Sequence, residues 1–244
     1  LQSEKRQHRL PAGGVRSPLN PSSPPLSATV SKKPPNAERI FDLLAAHIKP
    51  VSELNYRSNL DLLIAVVLSA QTTDVAVNKV TAELWKQCRS PQDYLELGEA
   101  RLQEFCRSIG LFRNKTRSIL GLCQMLLEHF DGQVPCSREE LMRLPGVGRK
   151  TANVLLNVAF KQPVIAVDTH VFRVSNRSGL AQGKTPEQVE QQLMDVIPKK
   201  HLLHAHHYLI LHGRYCCTAR QPKCESCVIR QECRYENKNL PEKT

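Results

Sequence analysis

Lys150 and Asp168 are the two residues whose surroundings best suit covalent chemistry. Lys150 follows a glycine-bracketed turn in the stretch Leu144 to Ala152 (LPGVGRKTA), and Asp168 belongs to the segment VDTH. A lysine beside Arg149 and the N-terminus of a helix has its ammonium form destabilised, and burial would lower its pKa further, towards a nucleophilic amine. Such an amine can form a Schiff base. Asp168 suits general acid-base work and also precedes a helical segment, where it would be the N-cap.

The turn before Lys150 is typical of an anion-binding hairpin. Ser137 and Glu140 form a capping-box pattern that begins a short helix, which a proline and two glycines end before helical spacing resumes. Gly146 and Gly148 can adopt positive φ and bring backbone N–H groups close to a neighbour, while the next helix N-terminus adds partial positive charge. With Arg149 alongside, this favours a phosphate. The alternative is a helix-to-helix turn that uses glycine only for its geometry.

A second group of residues suits a metal centre. Four cysteines near the C-terminus follow a C-x6-C-x2-C-x5-C spacing and are Cys217, Cys224, Cys227 and Cys233. Four thiols this close should share one metal centre, and the spacing favours an iron-sulfur cluster and a structural zinc equally. Disulfides are disfavoured, because the nine cysteines occur without a secretory signal pattern. Cys216 directly precedes Cys217, so by spacing either could be the first ligand.

The charge of the chain points to a polyanionic partner. The formal net charge is +11 at pH 7, of which residues 1–36 carry +5, so the remainder is basic as well. Residues 1–36 are rich in Pro, Ser and charge, and we expect a disordered basic tail. This tail lacks the continuous apolar region of a secretory signal, although its composition leaves an organellar transit peptide open.

The apolar spacing downstream predicts an all-α protein with no alternating strand run. The predicted helices cover residues 37–48, 60–70, 74–87, 91–97, 99–109, 115–129, 137–144, 149–160, 169–175, 186–196 and 202–212. The run 60–70 is too short to span a bilayer and is expected to be a buried central helix that Ser58 caps. His204, His206 and His207 face different directions on a helix, so packing is favoured there over metal binding.

Taken together, these motifs resemble the endonuclease III family of the helix-hairpin-helix DNA glycosylase superfamily. The hairpin LPGVGRKTA, the segment VDTH, the run HGRYCC and the four-cysteine spacing occur in the family's order, and the segments LSAQTTD (68–74) and GLFRNK (110–115) add to them. The resemblance covers about residues 37–235. It implies a bifunctional DNA glycosylase and AP lyase of base excision repair, which removes oxidised pyrimidines such as thymine glycol and cleaves the strand by β-elimination.

The resemblance also implies roles for individual residues. Lys150 would attack the sugar C1′ of a flipped nucleotide, and Asp168 would stabilise positive charge on the sugar and help to deprotonate the lysine. Flipping a base leaves a gap in the duplex, and Gln71 and Leu111 match the residues that fill it; by pattern alone they would be a helix C-cap and a core leucine. The residues at family pocket positions are Ser69, Asp74 and His170.

For the cysteines, the resemblance implies a 4Fe-4S cluster with Cys217 as the first ligand and Cys216 as a bystander. The cluster is expected to fix a basic loop against the phosphate backbone rather than to take part in catalysis. The basic residues around the cysteines are Arg214, Arg220, Lys223 and Arg230.

The implied fold has two domains with the active site in a cleft between them. A six-helix barrel domain would span residues 52–162, and an iron-sulfur cluster domain would combine residues 37–51 with 163–244. The expected partner is double-stranded DNA that contains oxidised pyrimidines or abasic sites, bound by a monomer with no membrane attachment. The expected location is cytoplasmic and nucleoid-associated, or nuclear or mitochondrial in a eukaryote.

Three other interpretations are open. A monofunctional adenine-mismatch glycosylase of the same superfamily shares the cysteine cluster but uses water, which Lys150 argues against. A non-enzymatic DNA-binding module would use the hairpin only to hold phosphate. A zinc-stapled structural protein would lack the chromophore of an iron-sulfur cluster.

Overall fold

The computed structural model describes residues 35–241, which form ten α-helices and contain no β-strand. The all-α prediction is therefore confirmed for these residues, whereas the predicted tail lies outside them except for positions 35 and 36. None of the described helices combines the length and the apolar composition that a membrane span needs. The helices are α1 (Ala37–His47), α2 (Asn59–Ser69), α3 (Asp74–Leu84), α4 (Pro91–Cys106), α5 (Phe112–His129), α6 (Arg138–Leu141), α7 (Arg149–Val158), α8 (Thr169–Ser178), α9 (Pro186–Val196) and α10 (Lys199–Tyr215).

Helix α2 is the buried central helix that the sequence predicted. Ser58 is its N-cap and accepts a hydrogen bond from the backbone N–H of Asp61 at 3.1 Å. Residues 60–68 are all buried, and α2 contacts α3, α5 and α7. The two helices predicted on either side of Gly98 form the single element α4, which this glycine interrupts with a φ of +74°.

Buried apolar side chains form two clusters. The first gathers around α2 and includes apolar residues of α3 to α7, and the second joins α1 to α8, α9 and α10. The extended segment between α7 and α8 alternates between them, because Ile165 and Val167 pack into the second cluster and Ala166 into the first. This grouping supports the predicted division of the chain into a domain of residues 52–162 and a second domain. The bounds of the two domains stay a prediction.

Two buried asparagines of α7 hold this extended segment beside the helix. Asn153 donates its side-chain N–H to the carbonyl of Ile165 at 2.9 Å, and Asn157 donates to that of Val164 at 3.0 Å. Unpaired carbonyls in a buried segment would be costly, so these bonds fix its register against α7. As a result, the N-terminus of α7 faces the end of the segment, where Asp168 begins α8.

Candidate active site

A cleft of about 470 Å³ is lined by side chains from both apolar clusters. Its walls are formed by the N-termini of α7 and α8, the turn between α2 and α3, and one face of α10. The sequence-predicted residues that line it are Ser69, Gln71, Asp74, Lys150, Asp168, His170 and Arg214. Residues that lie far apart in the sequence therefore share one concave site.

Lys150 is the second residue of α7 and is open to solvent from the cleft. The surrounding walls desolvate its ammonium group and lower its pKa, an effect that the positive charge of Arg214 reinforces. Asp168 and Asp74 act in the opposite direction. The direction of the shift agrees with the sequence prediction, and the amine form is correspondingly more available as a nucleophile.

The cation that lowers the pKa of Lys150 is not the one the sequence suggested. Arg149 forms a bidentate ion pair with the buried Glu190 of α9, with Nε–Oε2 and Nη2–Oε1 distances of 2.8 and 2.9 Å. This pairing attaches the hairpin to α9, and Arg138 shares the same carboxylate at an N–O distance of 3.7 Å. The sequence did not predict this carboxylate partner, and the DNA contact expected for Arg149 stays a prediction.

Asp168 occupies the N-cap of α8, as predicted. One carboxylate oxygen accepts a hydrogen bond from the backbone N–H of Val171 at 2.7 Å. The other oxygen has no hydrogen-bond partner among residues 35–241, and the residue lines the cleft. The cap orients one side of the carboxylate and leaves the other side available to the cleft.

Arg214 lies in the cleft wall and not on the basic loop where the sequence analysis placed it. Its guanidinium contacts Oδ2 of Asp74 at 2.5 Å and also pairs with Glu53. Tyr215 donates its hydroxyl hydrogen to the same Glu53. Sequence reasoning missed Glu53, because it lies in the connection before α2 and its partners are some 160 residues away.

Two further pocket residues are held by local hydrogen bonds. The Ser69 hydroxyl donates to the carbonyl of Val66 at 2.8 Å, and Arg173 donates to Nδ1 of His170 at 3.2 Å. Gly213 lets α10 approach α8 here, since a Cβ at Gly213 would lie 2.9 Å from the Cβ of His170.

His206 is a cleft residue that sequence reasoning assigned to packing alone. Its Nδ1 donates to the carbonyl of Ala166 at 2.9 Å, which fixes the neutral tautomer with Nε2 as an acceptor. Burial and the neighbouring His207 lower the pKa of His206. The ring is therefore a neutral wall of the cleft near Asp168 and Lys150.

Gly146 and Gly148 of the hairpin differ in their backbone. Gly146 has a φ of +80°, and a Cβ there would lie 2.8 Å from the Cβ of Ser118. Gly148 has a φ of −93° and open space around its Cβ position, so the expectation of positive φ is wrong for this residue. It is the N-cap of α7 and offers no side-chain cap, which leaves the first-turn N–H groups free for an anion.

Gln71 and Leu111 occupy two adjacent turns at the surface. Both have left-handed backbone, with φ values of 55° and 58°, which is uncommon outside glycine. Leu111 is 60% exposed, so it is not a core leucine. The turns meet at Gly110, because a Cβ on that residue would lie 3.7 Å from the carbonyl oxygen of Gln71.

All five C-terminal cysteines line one small cavity between α8 and the end of α10, together with His212. None of the nine cysteines forms a disulfide. The thiols of Cys216 and Cys227 and a ring nitrogen of His212 lie within 4.8 Å of one another. Thiols that converge in one cavity fit an iron-sulfur cluster or another thiophilic metal centre. Arg220 and Lys223 are exposed on the same loop, as is Arg230.

Two family models match the chain. Residues 64–199 match the HhH-GPD superfamily of base excision DNA repair proteins, and residues 217–233 match the iron-sulfur binding domain of endonuclease III. The second match begins at Cys217 and leaves out Cys216.

Bacterial relatives extend this similarity over most of the chain. Endonuclease III of Rickettsia conorii is 50% identical over 198 residues, which are 81% of this chain and 94% of the relative. Endonuclease III of Escherichia coli K12 is 52% identical over 189 residues, which are 78% of this chain and 90% of the relative.

Solved structures give the same pattern. A trapped endonuclease III–DNA covalent intermediate matches with a TM-score of 0.76 and 49% identity over 80% of this chain and 92% of that one. A non-covalent endonuclease III–DNA complex matches with a TM-score of 0.77 and 48% identity over 81% and 93%. A thermostable thymine-DNA glycosylase, at 22% identity and a TM-score of 0.72, shares the fold.

Proposed function

The chain belongs to the endonuclease III family of the HhH-GPD superfamily, and from this premise we propose that Lys150 and Asp168 perform its reaction on oxidised pyrimidines in DNA. The protein is a DNA glycosylase and AP lyase of base excision repair that binds DNA and a 4Fe-4S cluster. The proposal concerns which of its side chains act as the nucleophile and as the stabilising carboxylate.

The assignment of Lys150 rests on its surroundings in the cleft. Lys150 is the only lysine among the described residues that line the cleft, its pKa is lowered chiefly by desolvation, and it lies in the electrostatic field of Asp168 and Asp74. A nucleophilic amine needs a lowered pKa, and it also needs a carboxylate to accept its proton and to stabilise a developing cation. Among the described residues that line the cleft, only Lys150 meets both requirements.

In the first step the Nζ of Lys150 attacks C1′ of the flipped nucleotide. The C1′–N bond to the base breaks, the base leaves with the bonding electrons and takes a proton from water, and Asp168 stabilises the positive charge that develops on the sugar. One of the two Nζ protons then passes through the carboxylate of Asp168 or through water to the ring oxygen O4′, the C1′–O4′ bond breaks, and the nitrogen lone pair forms the C1′=Nζ double bond of a protonated imine.

In the second step the imine acts as an electron sink. A proton leaves C2′, a double bond forms between C2′ and C3′, and the C3′–O bond breaks to release the 3′ phosphate. Water then hydrolyses the imine and returns Lys150 to its amine form. The same lysine therefore accounts for both base removal and strand cleavage.

Further residues would position the DNA. The uncapped first turn of α7 after Gly148 offers backbone N–H groups to a phosphate, with Gly146 shaping the turn. Gln71 and Leu111 project from adjacent exposed turns and would fill the gap left by the extruded nucleotide. The exposed Arg220 and Lys223 would contact the backbone near the cysteines.

The cluster ligands proposed here are Cys217, Cys224, Cys227 and Cys233, and the cluster would organise the loop that carries them. The two apolar clusters of the fold would be the cores of a 52–162 domain and of a domain that combines 37–51 with 163–244. The named relatives are bacterial, and a cytoplasmic, nucleoid-associated location is part of this proposal.

Borohydride trapping on a duplex that contains thymine glycol or an abasic site tests the assignment. Wild-type protein should form a covalent adduct, which Lys150→Ala and Lys150→Gln should abolish, whereas the exposed-lysine control Lys86→Ala should keep it. An adduct that persists in both Lys150 variants would refute the proposed nucleophile. An active wild type that forms no adduct at all would point to a monofunctional mechanism.

A further inference from the structure

Lys115 is a buried lysine outside the cleft whose side chain joins two separate turns. It is only 6% exposed, and Nζ donates to the carbonyls of Leu68 and Ala70 at 2.8 and 2.5 Å and to Oγ1 of Thr72 at 3.0 Å. No carboxylate pairs with it within residues 35–241. All three of its N–H donors are used at the C-terminal end of α2 and the turn that follows.

The backbone of Lys115 is bonded to the other turn. Its N–H donates to the carbonyl of Leu111 at 3.2 Å, in the first turn of α5. Gln71 lies between Ala70 and Thr72, two of the residues that accept from Nζ. One residue therefore connects the turn that carries Gln71 to the turn that carries Leu111.

A buried ammonium group without an anionic partner is costly, and desolvation accordingly lowers the pKa of Lys115. The carbonyls at the negative end of the α2 dipole offset part of this cost. An apolar side chain of similar length could fill the same space without this desolvation cost. The lysine adds what an apolar side chain lacks, which is directional bonding to three acceptors at once.

We propose that Lys115 is a positioning residue that holds Gln71 and Leu111 at a fixed separation, so that both enter the duplex together. This inference rests on the proposed role of those two residues. Unstacking a base costs a few kcal/mol, and side chains that fill the gap oppose that cost only if their turns are already arranged for entry. Both residues are held in left-handed backbone, which a defined set of contacts must maintain.

The test compares a paired lesion with an unpaired one. Lys115→Met removes the three bonds but keeps the length of the side chain, and Thr72→Val removes one of them. Lys79→Met, an exposed lysine on α3, is the matched control. Single-turnover base removal is measured on thymine glycol opposite adenine, and on the same lesion within a short unpaired loop, where little extrusion energy is needed. Rates are normalised to the fraction of protein that borohydride can trap.

Lys115→Met should lower the rate on the paired lesion by about ten-fold or more, and should change the rate on the unpaired lesion far less. Thr72→Val should produce a smaller loss with the same preference, and Lys79→Met should behave as wild type. A merely structural role would lower the active fraction and the melting temperature without changing the ratio of the two rates. An unchanged ratio in Lys115→Met, or in Thr72→Val if the first variant does not fold, would overturn the proposal.

Gln71→Ala and Leu111→Ala separate this inference from the function on which it rests. If both variants process the paired lesion at the wild-type rate, the proposed role of the two turns is wrong. If both are slow while Lys115→Met is not, only the assignment of Lys115 is wrong.

Discussion

Arg177 donates a hydrogen bond from its guanidinium to the Sγ of Cys217 at 3.6 Å. The same guanidinium donates to the carbonyls of Thr218 and Ala219 at 2.7 and 2.8 Å. Arg177 lies near the end of α8, the helix that Asp168 begins. The first proposed cluster ligand is therefore attached to the same helix that presents the proposed catalytic carboxylate of Asp168.

Replacing Arg177 with methionine should weaken retention of the cluster. The substitution removes a cation next to a thiolate and leaves two carbonyls without their donor, which should cost about 1–3 kcal/mol of stability. We expect the variant to lose its visible absorbance and to release iron to a chelator faster than wild type. Arg220→Met, which replaces an exposed arginine between Cys217 and Cys224, should release iron at the wild-type rate. Equal release from Arg177→Met and wild type would show that the contact contributes nothing to retention.

Substitution of the two adjacent cysteines should separate ligand from bystander. Cys217→Ser should lose most of its iron, because a serine hydroxyl is a poor replacement for a thiolate in an iron-sulfur site. Cys216→Ser should keep both its iron and its visible spectrum. Both thiols line the same cavity, so the two variants differ in ligation more than in packing. The reverse outcome, with iron lost from Cys216→Ser alone, would make Cys216 the first ligand.

Arg214 should set the pH at which Lys150 becomes reactive. Its positive charge lowers the pKa of Lys150, and its pairing with Asp74 restrains a carboxylate that raises it. Arg214→Met should therefore raise the pKa of Lys150. If Lys150 is the nucleophile, only its unprotonated amine can attack C1′, so the acid limb of the rate profile should move to higher pH, with about a ten-fold loss near neutral pH for each unit of pKa.

Schiff-base formation on an abasic duplex at saturating enzyme, measured across pH, tests this shift. The rates of Arg214→Met and wild type should converge as the pH approaches 10.5, the ordinary pKa of lysine. Arg101→Met, an exposed arginine on α4, should reproduce the wild-type profile. A parallel loss of rate at every pH would assign Arg214 to structure or DNA binding instead.

The sequence predicted local features well, because capping and glycine chemistry act over a few residues. Ser58 and Asp168 are the N-caps they were expected to be. The resemblance of the motifs around Lys150 and Asp168 to a known family then predicted that these two residues meet in the cleft. Neither the local patterns nor the family resemblance required knowledge of how the whole chain packs.

Long-range polar pairing could not be predicted in the same way. Arg149 looked like a free cation because Glu190, its partner, lies on a different helix some 40 residues later. Glu53 gave no local signal for its pairing with Arg214. In each case the partner is fixed by how segments that lie far apart in the sequence pack against each other, which no local spacing records.

The two hairpin glycines should respond differently to alanine. Gly146→Ala would place a Cβ in left-handed backbone and 2.8 Å from the Cβ of Ser118, so we expect a loss of roughly 1–3 kcal/mol in the free energy of unfolding. Gly148→Ala meets no neighbour within 4 Å and has a negative φ, so its loss should stay below about 1 kcal/mol. Thermal or chemical unfolding of both variants measures this contrast.

DNA binding should show the opposite order once folding is accounted for. A methyl group at Gly148 would project into the open space beside the uncapped first turn of α7, where a phosphate is proposed to approach the backbone N–H groups. Gly148→Ala should therefore weaken the affinity for an abasic duplex several-fold while the protein stays folded. Wild-type affinity in Gly148→Ala would argue that the phosphate does not approach the backbone at this position.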